Sequence, residues 1–247
     1  MTTTGNTWRE VPPIELAYRN ALESLIYRVF SAPFAKVFSS PIASPGAVAA
    51  SKLLISDTFT DTNGVLLSNH TIAPTNTPAA TWTYQAHPSL PGTFDIQNNV
   101  VNNVTAGKVP EYYLNAGVAD CIIEIDFTTH ATVNLDTYQI DVIFRNTDNA
   151  NLWYVGKSTA QVIELREVTA GTSTQRVANV VTFVKNTAYH FKITLNGSSI
   201  TCDLSGGATS QLTYTSSVRA TVTNHGLLCY GAVANTVIID NFTINNL

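Results

Sequence analysis

The tetrads Asp57-Thr58-Phe59-Thr60 and Asp240-Asn241-Phe242-Thr243 stand near the two ends of one long stretch of strand-like sequence. Each joins a turn-forming acid to an aromatic and a threonine, residues that favour extended backbone. This echo predicts two terminal strands lying side by side. Such a pairing closes a β domain as a unit and makes the residues before it an appendage.

Between the tetrads the apolar period is two. Candidate strands are Leu53–Thr60, Thr81–Ala86, Asn98–Thr105, Cys121–Thr129, Tyr138–Arg145, Leu152–Gly156, Val162–Val168, Arg176–Phe183, Tyr189–Leu195, Ser199–Leu204, Leu212–Thr215, Gly226–Tyr230 and Val237–Ile244. Hydrophobic residues make up 45% and charged residues 12% of the chain, the composition of half-buried strands joined by polar turns. The surest local feature is the run from His190 to Leu204, where Asn196-Gly197 predicts a type I′ hairpin turn. Many short strands with turn signals between them predict an all-β, two-sheet antiparallel sandwich over residues 52–247.

Residues 1–51 read differently. After Pro12-Pro13, the residues Ile14, Tyr18, Leu22, Leu25, Ile26, Val29 and Phe30 recur at helical spacing, and Ala17 and Ala21 fill the same stripe. A helix of this length is marginal alone in water and needs a surface to lie on, either its own domain or a neighbouring subunit or different protein. Pro33, Pro41 and Pro45 then impose an extended strap whose Phe34, Val37 and Phe38 suit a partner surface better than solvent. The expectation is an anchoring arm, with Ile14, Tyr18, Leu22, Leu25, Ile26, Val29, Phe30, Phe34 and Phe38 as its partner-binding residues.

The formal net charge of −4 and the absence of a Lys/Arg cluster argue against nucleic acid, because no basic patch is available to displace counterions. The opening residues lack the basic and apolar regions of a signal peptide, and no apolar run is long enough to span a bilayer. No membrane partner is therefore expected. Cys121, Cys202 and Cys229 sit singly in apolar stretches and read as buried thiols. His70, His87, His130, His190 and His225 show no mutual ligand spacing, so no metal or cofactor is expected. No Gly-rich phosphate loop and no nucleophile elbow is present.

One ordered set of residues carries a resemblance: Asp57-x-Phe59, Asn63-Gly64, Leu67, His70, Trp82, Gly92-x-Phe94-x-Ile96, Val142-Ile143-Phe144-Arg145, Trp153-Tyr154, the hairpin from Tyr189 to Leu204, His225-Gly226 and Asp240-x-Phe242. From Lys52 onward the chain resembles the concanavalin A-like, laminin-G-like jelly roll, in the variety found in bacteriophage structural proteins and carbohydrate-associated bacterial proteins. The resemblance implies a jelly-roll sandwich and a non-enzymatic virion structural protein, decorating a capsid or associated with a tail. Its partners would be capsid or tail subunits, in many copies or as a homo-oligomer, and its location the virion. The alternative is a carbohydrate-binding module of a bacterial surface system.

The same superfamily includes glycoside hydrolases with a Glu-x-Asp-x-Glu strand. Here the strand reads Glu124-Ile125-Asp126-Phe127-Thr128, and Thr128 stands where the general acid would be, so no catalytic residue is expected. Calcium occurs in parts of the superfamily, and Asp57 with Asp240 is the one pair that would hold a structural ion here, although turn capping is the more ordinary role for both. Jelly rolls also bind glycans through exposed aromatics, which makes Trp82, Tyr84, Tyr112, Trp153 and Tyr154 the candidate glycan contacts. In the tandems Tyr112-Tyr113 and Trp153-Tyr154, an extended backbone sends one ring to each face, so one member of each pair belongs to the core.

Overall fold

The computed structural model describes residues 53–72 and 80–247. The helix, the strap and every partner-binding residue expected over 1–51 lie outside the described residues. Fifteen strands follow one another: β1 (Leu53–Asp57), β2 (Thr83–Tyr84), β3 (Phe94–Gln97), β4 (Val100–Asn103), β5 (Glu111–Asn115), β6 (Cys121–Thr128), β7 (Tyr138–Asp148), β8 (Asn151–Lys157), β9 (Val162–Thr169), β10 (Thr172–Val180), β11 (Ala188–Asn196), β12 (Ser199–Gly206), β13 (Ser210–Thr215), β14 (Asn224–Gly231) and β15 (Ile239–Asn246).

They form two antiparallel sheets. One is eight-stranded in the order β13-β12-β11-β6-β15-β4-β3 with β1 also on β15, and the other is seven-stranded in the order β10-β9-β8-β7-β14-β5-β2. The expected all-β sandwich is the observed fold. The echo also has its expected consequence, because Asp57 of β1 lies opposite Phe242 of β15 and Ser56 opposite Thr243. β15 has β6 along one edge and divides the other between β4, at Ile239, and β1.

The hairpin between β11 and β12 is present, but its turn is displaced by one residue from the expectation. Asn196 pairs with Ser199, so Gly197 and Ser198 are the central residues. Of these only Gly197 has a positive φ, 54°. Glycine at the first central position is the requirement of a type II′ turn, not type I′.

The core lies between the sheets and alternates along each strand. Ile123, Ile125 and Phe127 of β6, with Phe191 and Ile193 of the neighbouring β11, share one buried cluster with Val142 and Phe144 of β7 and Trp153 and Val155 of β8 in the other sheet. Phe127 stacks on Tyr189 at 5.3 Å and on Phe191 at 5.0 Å. Cys121, Cys202 and Cys229 are buried free thiols. Two cations are fully buried: Arg145, whose Nη2 donates to the Gly197 carbonyl at 2.6 Å, and Lys157, whose ammonium donates to the carbonyls of Leu135 (2.5 Å), Tyr138 (3.0 Å) and Ser158 (3.2 Å). The Lys157 ammonium lies 4.3 Å from the centre of the Tyr138 ring, and burial pulls its pKa down to about 8.

Candidate functional site

The seven-stranded sheet is buried on both faces along its middle strands, which a solvated outer face would not produce. Its inner face belongs to the main core. Its outer face carries a second buried cluster of Val109, Ile143, Leu152, Val168 and Leu228, with Tyr113, Tyr154 and Tyr230 packed against it. Alternation explains how the strands serve both clusters: Trp153 and Val155 of β8 point inward while Leu152 and Tyr154 point outward.

On this outer face lies a cleft of about 360 Å³, within the usual range for ligand sites. Leu152, Leu228, Tyr154 and Tyr230 supply its apolar and aromatic floor, and Glu111, Gln139, Asn149 and Ser173 supply polar groups. The register sets the floor. Glu111 lies opposite Leu228, Leu228 opposite Asp141, Asp141 opposite Gly156 and Gly156 opposite Glu164, so one row of outward positions crosses five strands. Gly156 lets β7 approach closely in that row, since a Cβ there would collide with the Ile140 carbonyl and lie 2.5 Å from Asp141 Oδ1.

The row is rich in carboxylates held in unusual states. Glu111 is 1% exposed, and its Oε1 accepts from Gln85 Nε2 at 2.6 Å. Burial, with a smaller push from the Asp148 charge, raises its pKa to about 7. Asp141 is fully buried; its Oδ2 accepts from Gln139 Nε2 at 2.5 Å while Oδ1 has no partner. Burial pushes the Asp141 carboxyl well above the usual carboxylate range. Glu164 is paired with Arg166 at 3.0 Å, and Arg166 Nη1 donates to Ser173 Oγ at 3.3 Å. The Tyr154 hydroxyl meets the same Ser173 Oγ at 3.0 Å. Rings, amides, hydroxyls and a buried carboxyl around one cleft can stack against and hydrogen-bond to a polyhydroxylated ring.

Of the five aromatics expected to contact glycan, only Tyr154 lines this cleft. The expectation for Trp82, Tyr112 and Trp153 needs correction, because they are 2%, 1% and 0% exposed within the main core and offer no free ring face. Tyr84 is exposed on the edge strand β2, its ring 5.2 Å from that of Tyr112. The tandem argument holds for both pairs, with Tyr112 and Trp153 inside and Tyr113 and Tyr154 outside. Sequence reasoning missed Tyr230, Leu228, Gln139 and Glu111. Tyr230 had a signal, since it ends an expected strand two residues beyond Leu228, whereas Glu111 lies in β5, which was not among the expected strands.

Glu124 and Asp126 of β6 point away from the core on the outer face of the eight-stranded sheet, not toward this cleft. His190 bridges them, Nδ1 at 2.8 Å from Asp126 and Nε2 at 3.5 Å from Glu124. The carboxylate of Asp57, offered above as a calcium ligand, is taken by protein donors: Trp82 Nε1 at 2.8 Å, Phe59 N at 2.8 Å and His70 Nε2 at 3.0 Å. His70 Nδ1 meets Asp61 at 2.9 Å, so a carboxylate faces each ring nitrogen. Burial pulls the His70 pKa down, but the Asp61 hydrogen bond and the Asp57 charge outweigh it and the net shift is upward. Among the described residues no group of three or more His, Cys, Asp or Glu is arranged to hold a metal ion.

No protein-family model matches the chain, and no curated protein does. Solved structures do. The carbohydrate-binding module CBM66 from Bacillus subtilis superposes with a TM-score of 0.50 at 14% identity, covering 67% of this chain and 95% of the module. The CBM2 module of the evolved Dit of Lactobacillus casei BL23 phage J-1 gives 0.51 at 12% identity, covering 80% and 97%. The exoplasmic/lumenal domain of VIP36, in a form bound to Ca2+ and Man3GlcNAc, gives 0.51 at 13% identity, covering 67% and 84%. The fold is the two-sheet jelly-roll sandwich that these structures share. At these identities the likeness extends to the fold alone.

Proposed function

We propose that this jelly roll is a non-enzymatic glycan-binding domain, with its site in the cleft on the outer face of the seven-stranded sheet. The observation that carries the reading is the second buried cluster on that face, where half-buried tyrosines and a buried Glu111 converge on one opening. Carbohydrate-binding modules and a lumenal domain seen with a mannose-containing glycan share the fold, which is consistent with this use. The test is a glycan array probed with the native chain and with Tyr154→Ala and Tyr230→Ala. Loss of an aromatic platform is expected to weaken binding by about tenfold or more, the effect of roughly 1.5 kcal/mol. A native chain that binds no glycan, or binding indifferent to both variants, removes the reading.

The setting we propose is a virion, with the domain displayed on the particle and fastened to a capsid or tail component by the apolar arm of residues 1–51. Support comes from the apolar stripe of that arm in the sequence and from the likeness to a phage Dit module. Light scattering of the full chain beside a chain beginning at Lys52 tests it. Assembly of the full chain alone supports anchoring; two equal monomers favour the bacterial surface module, the reading suggested by the likeness to CBM66.

A further inference from the structure

The charge around the cleft is one-sided. No Lys or Arg is among its lining residues, and Glu111 contributes a carboxyl from its wall. Arg166, which donates to the lining Ser173, is already matched by Glu164 at 3.0 Å. His87, at the rim, accepts from the backbone N–H of Ser89 and of Leu90 through Nδ1, at 3.3 and 3.1 Å. Burial lowers its pKa as well, so at neutral pH it is an uncharged donor through Nε2. Asp148, which raises the pKa of Glu111, adds negative potential from the end of β7.

The oxygens of Glu111 are not equivalent. Oε1 is held by Gln85, while among the described residues no group donates to Oε2. A ligand hydroxyl or amine can donate to a carboxylate, and an amine does so with charge assistance. A ligand carboxylate or sulfate would leave water beside two acids with no counter-ion, which is strongly unfavourable.

Resting on the glycan reading above, we infer that the cleft selects sugars by charge: it takes neutral and amine-bearing units and rejects carboxylated or sulfated ones, with Glu111 as the specificity-determining residue. The test is calorimetry with matched β-1,4-linked oligosaccharides of glucose, glucosamine and glucuronate, preceded by an array that includes all three charge classes. The acidic and neutral sugars are compared at about pH 8, above the Glu111 pKa, so that the carboxylate is ionised, and the amine-bearing sugar is compared with the neutral one at about pH 7, where its amine still carries charge. The expected ranking is amine-bearing first, neutral next and acidic last, the extremes separated by about tenfold or more. Glu111→Gln should bring that ratio to within about threefold, and Glu111→Asp, which keeps the charge, should preserve the order. Thermal melts establish that each variant is folded, and the ranking of the native chain does not depend on them. Acidic sugars bound as tightly as neutral ones, or a ranking untouched by Glu111→Gln, overturn the inference and leave the glycan reading standing. Failure of every charge class to bind takes both down.

Discussion

The two sheets present opposite kinds of outer face. On the eight-stranded sheet, β6 and β11 alternate buried and half-exposed residues, and the half-exposed acids are satisfied by neighbours: Asp126 by His190 and Asn241, Glu124 by Asn245. On the seven-stranded sheet, β7 is buried from Ile140 to Asn146 without interruption, and Asp141 retains an unpartnered oxygen. Along β6 and β11 the first face is an ordinary solvated surface, and its buried unpartnered oxygen, Asp95 Oδ1, lies out on the edge strand β3. The second keeps buried polar groups incompletely satisfied, a feature that costs stability and is retained in proteins chiefly where something else uses it.

Neighbouring residues on β8 offer the largest test of this contrast. Trp153→Ala removes a fully buried ring that stacks on Phe144 and donates to the Val218 carbonyl, and is expected to cost about 3–5 kcal/mol of stability. Tyr154→Ala, one residue on, removes a ring from the cleft wall and should cost far less, about 1 kcal/mol, while abolishing most ligand affinity. Denaturant melts with glycan titrations would separate the two. Equal stability losses would mean that Tyr154 is merely core and that the outer face is not built for a ligand.

A second, smaller difference is in pH response. A carboxyl raised on folding from 4.5 to about 7, as for Glu111, binds more protons folded than unfolded between those values. Stability from this group is therefore full below about pH 4.5, falls as pH rises through the window and is gone above about 7, a loss of at most about 3 kcal/mol. His70, whose folded pKa is also raised, loses its contribution as pH rises from 6.5 through its folded value. Both groups therefore make the protein less stable toward alkaline pH. His225, whose burial lowers its pKa to about 4, works the other way up to about pH 6.5, so the informative quantity is the difference: from about pH 5 to 8 the melting temperature of the native chain should fall relative to that of Glu111→Gln, which cannot titrate. Parallel profiles would show that Glu111 is not held in a buried, uncharged state.

Strand alternation made the sandwich legible from sequence, but not which face of each strand would turn inward. β8 shows why. Its inward set is Trp153, Val155 and Lys157, and its outward set Leu152, Tyr154 and Gly156, so a lysine on the inner side left the two faces with similar apolar character. Carbonyl ligation of that ammonium, supplied in part by Leu135 at the start of a short 3-10 helix, is a long-range fact that periodicity does not contain. β3 and β5 were missed because Asp95, Gln97, Glu111 and Asn115 interrupt their apolar texture. With β5 went Glu111, whose place in the cleft depends on pairing with Leu228, more than a hundred residues away in sequence. The terminal pairing was legible because its signal was repeated in both partners.

The smallest expected effect belongs to the outer face of the eight-stranded sheet. His190 touches two carboxylates there, yet its side chain is 38% exposed and that of Asp126 45%, so solvent and salt screen the pair. The ladder around it does not depend on the imidazole, since β11 pairs with β6 and β12 along its whole length through the backbone. His190→Ala should therefore change stability by no more than about 0.5 kcal/mol and leave glycan binding at the far face unaltered. A loss of affinity in this variant would move the ligand to the Glu124-Asp126 face, where two carboxylates and a histidine would then have to be read as a site.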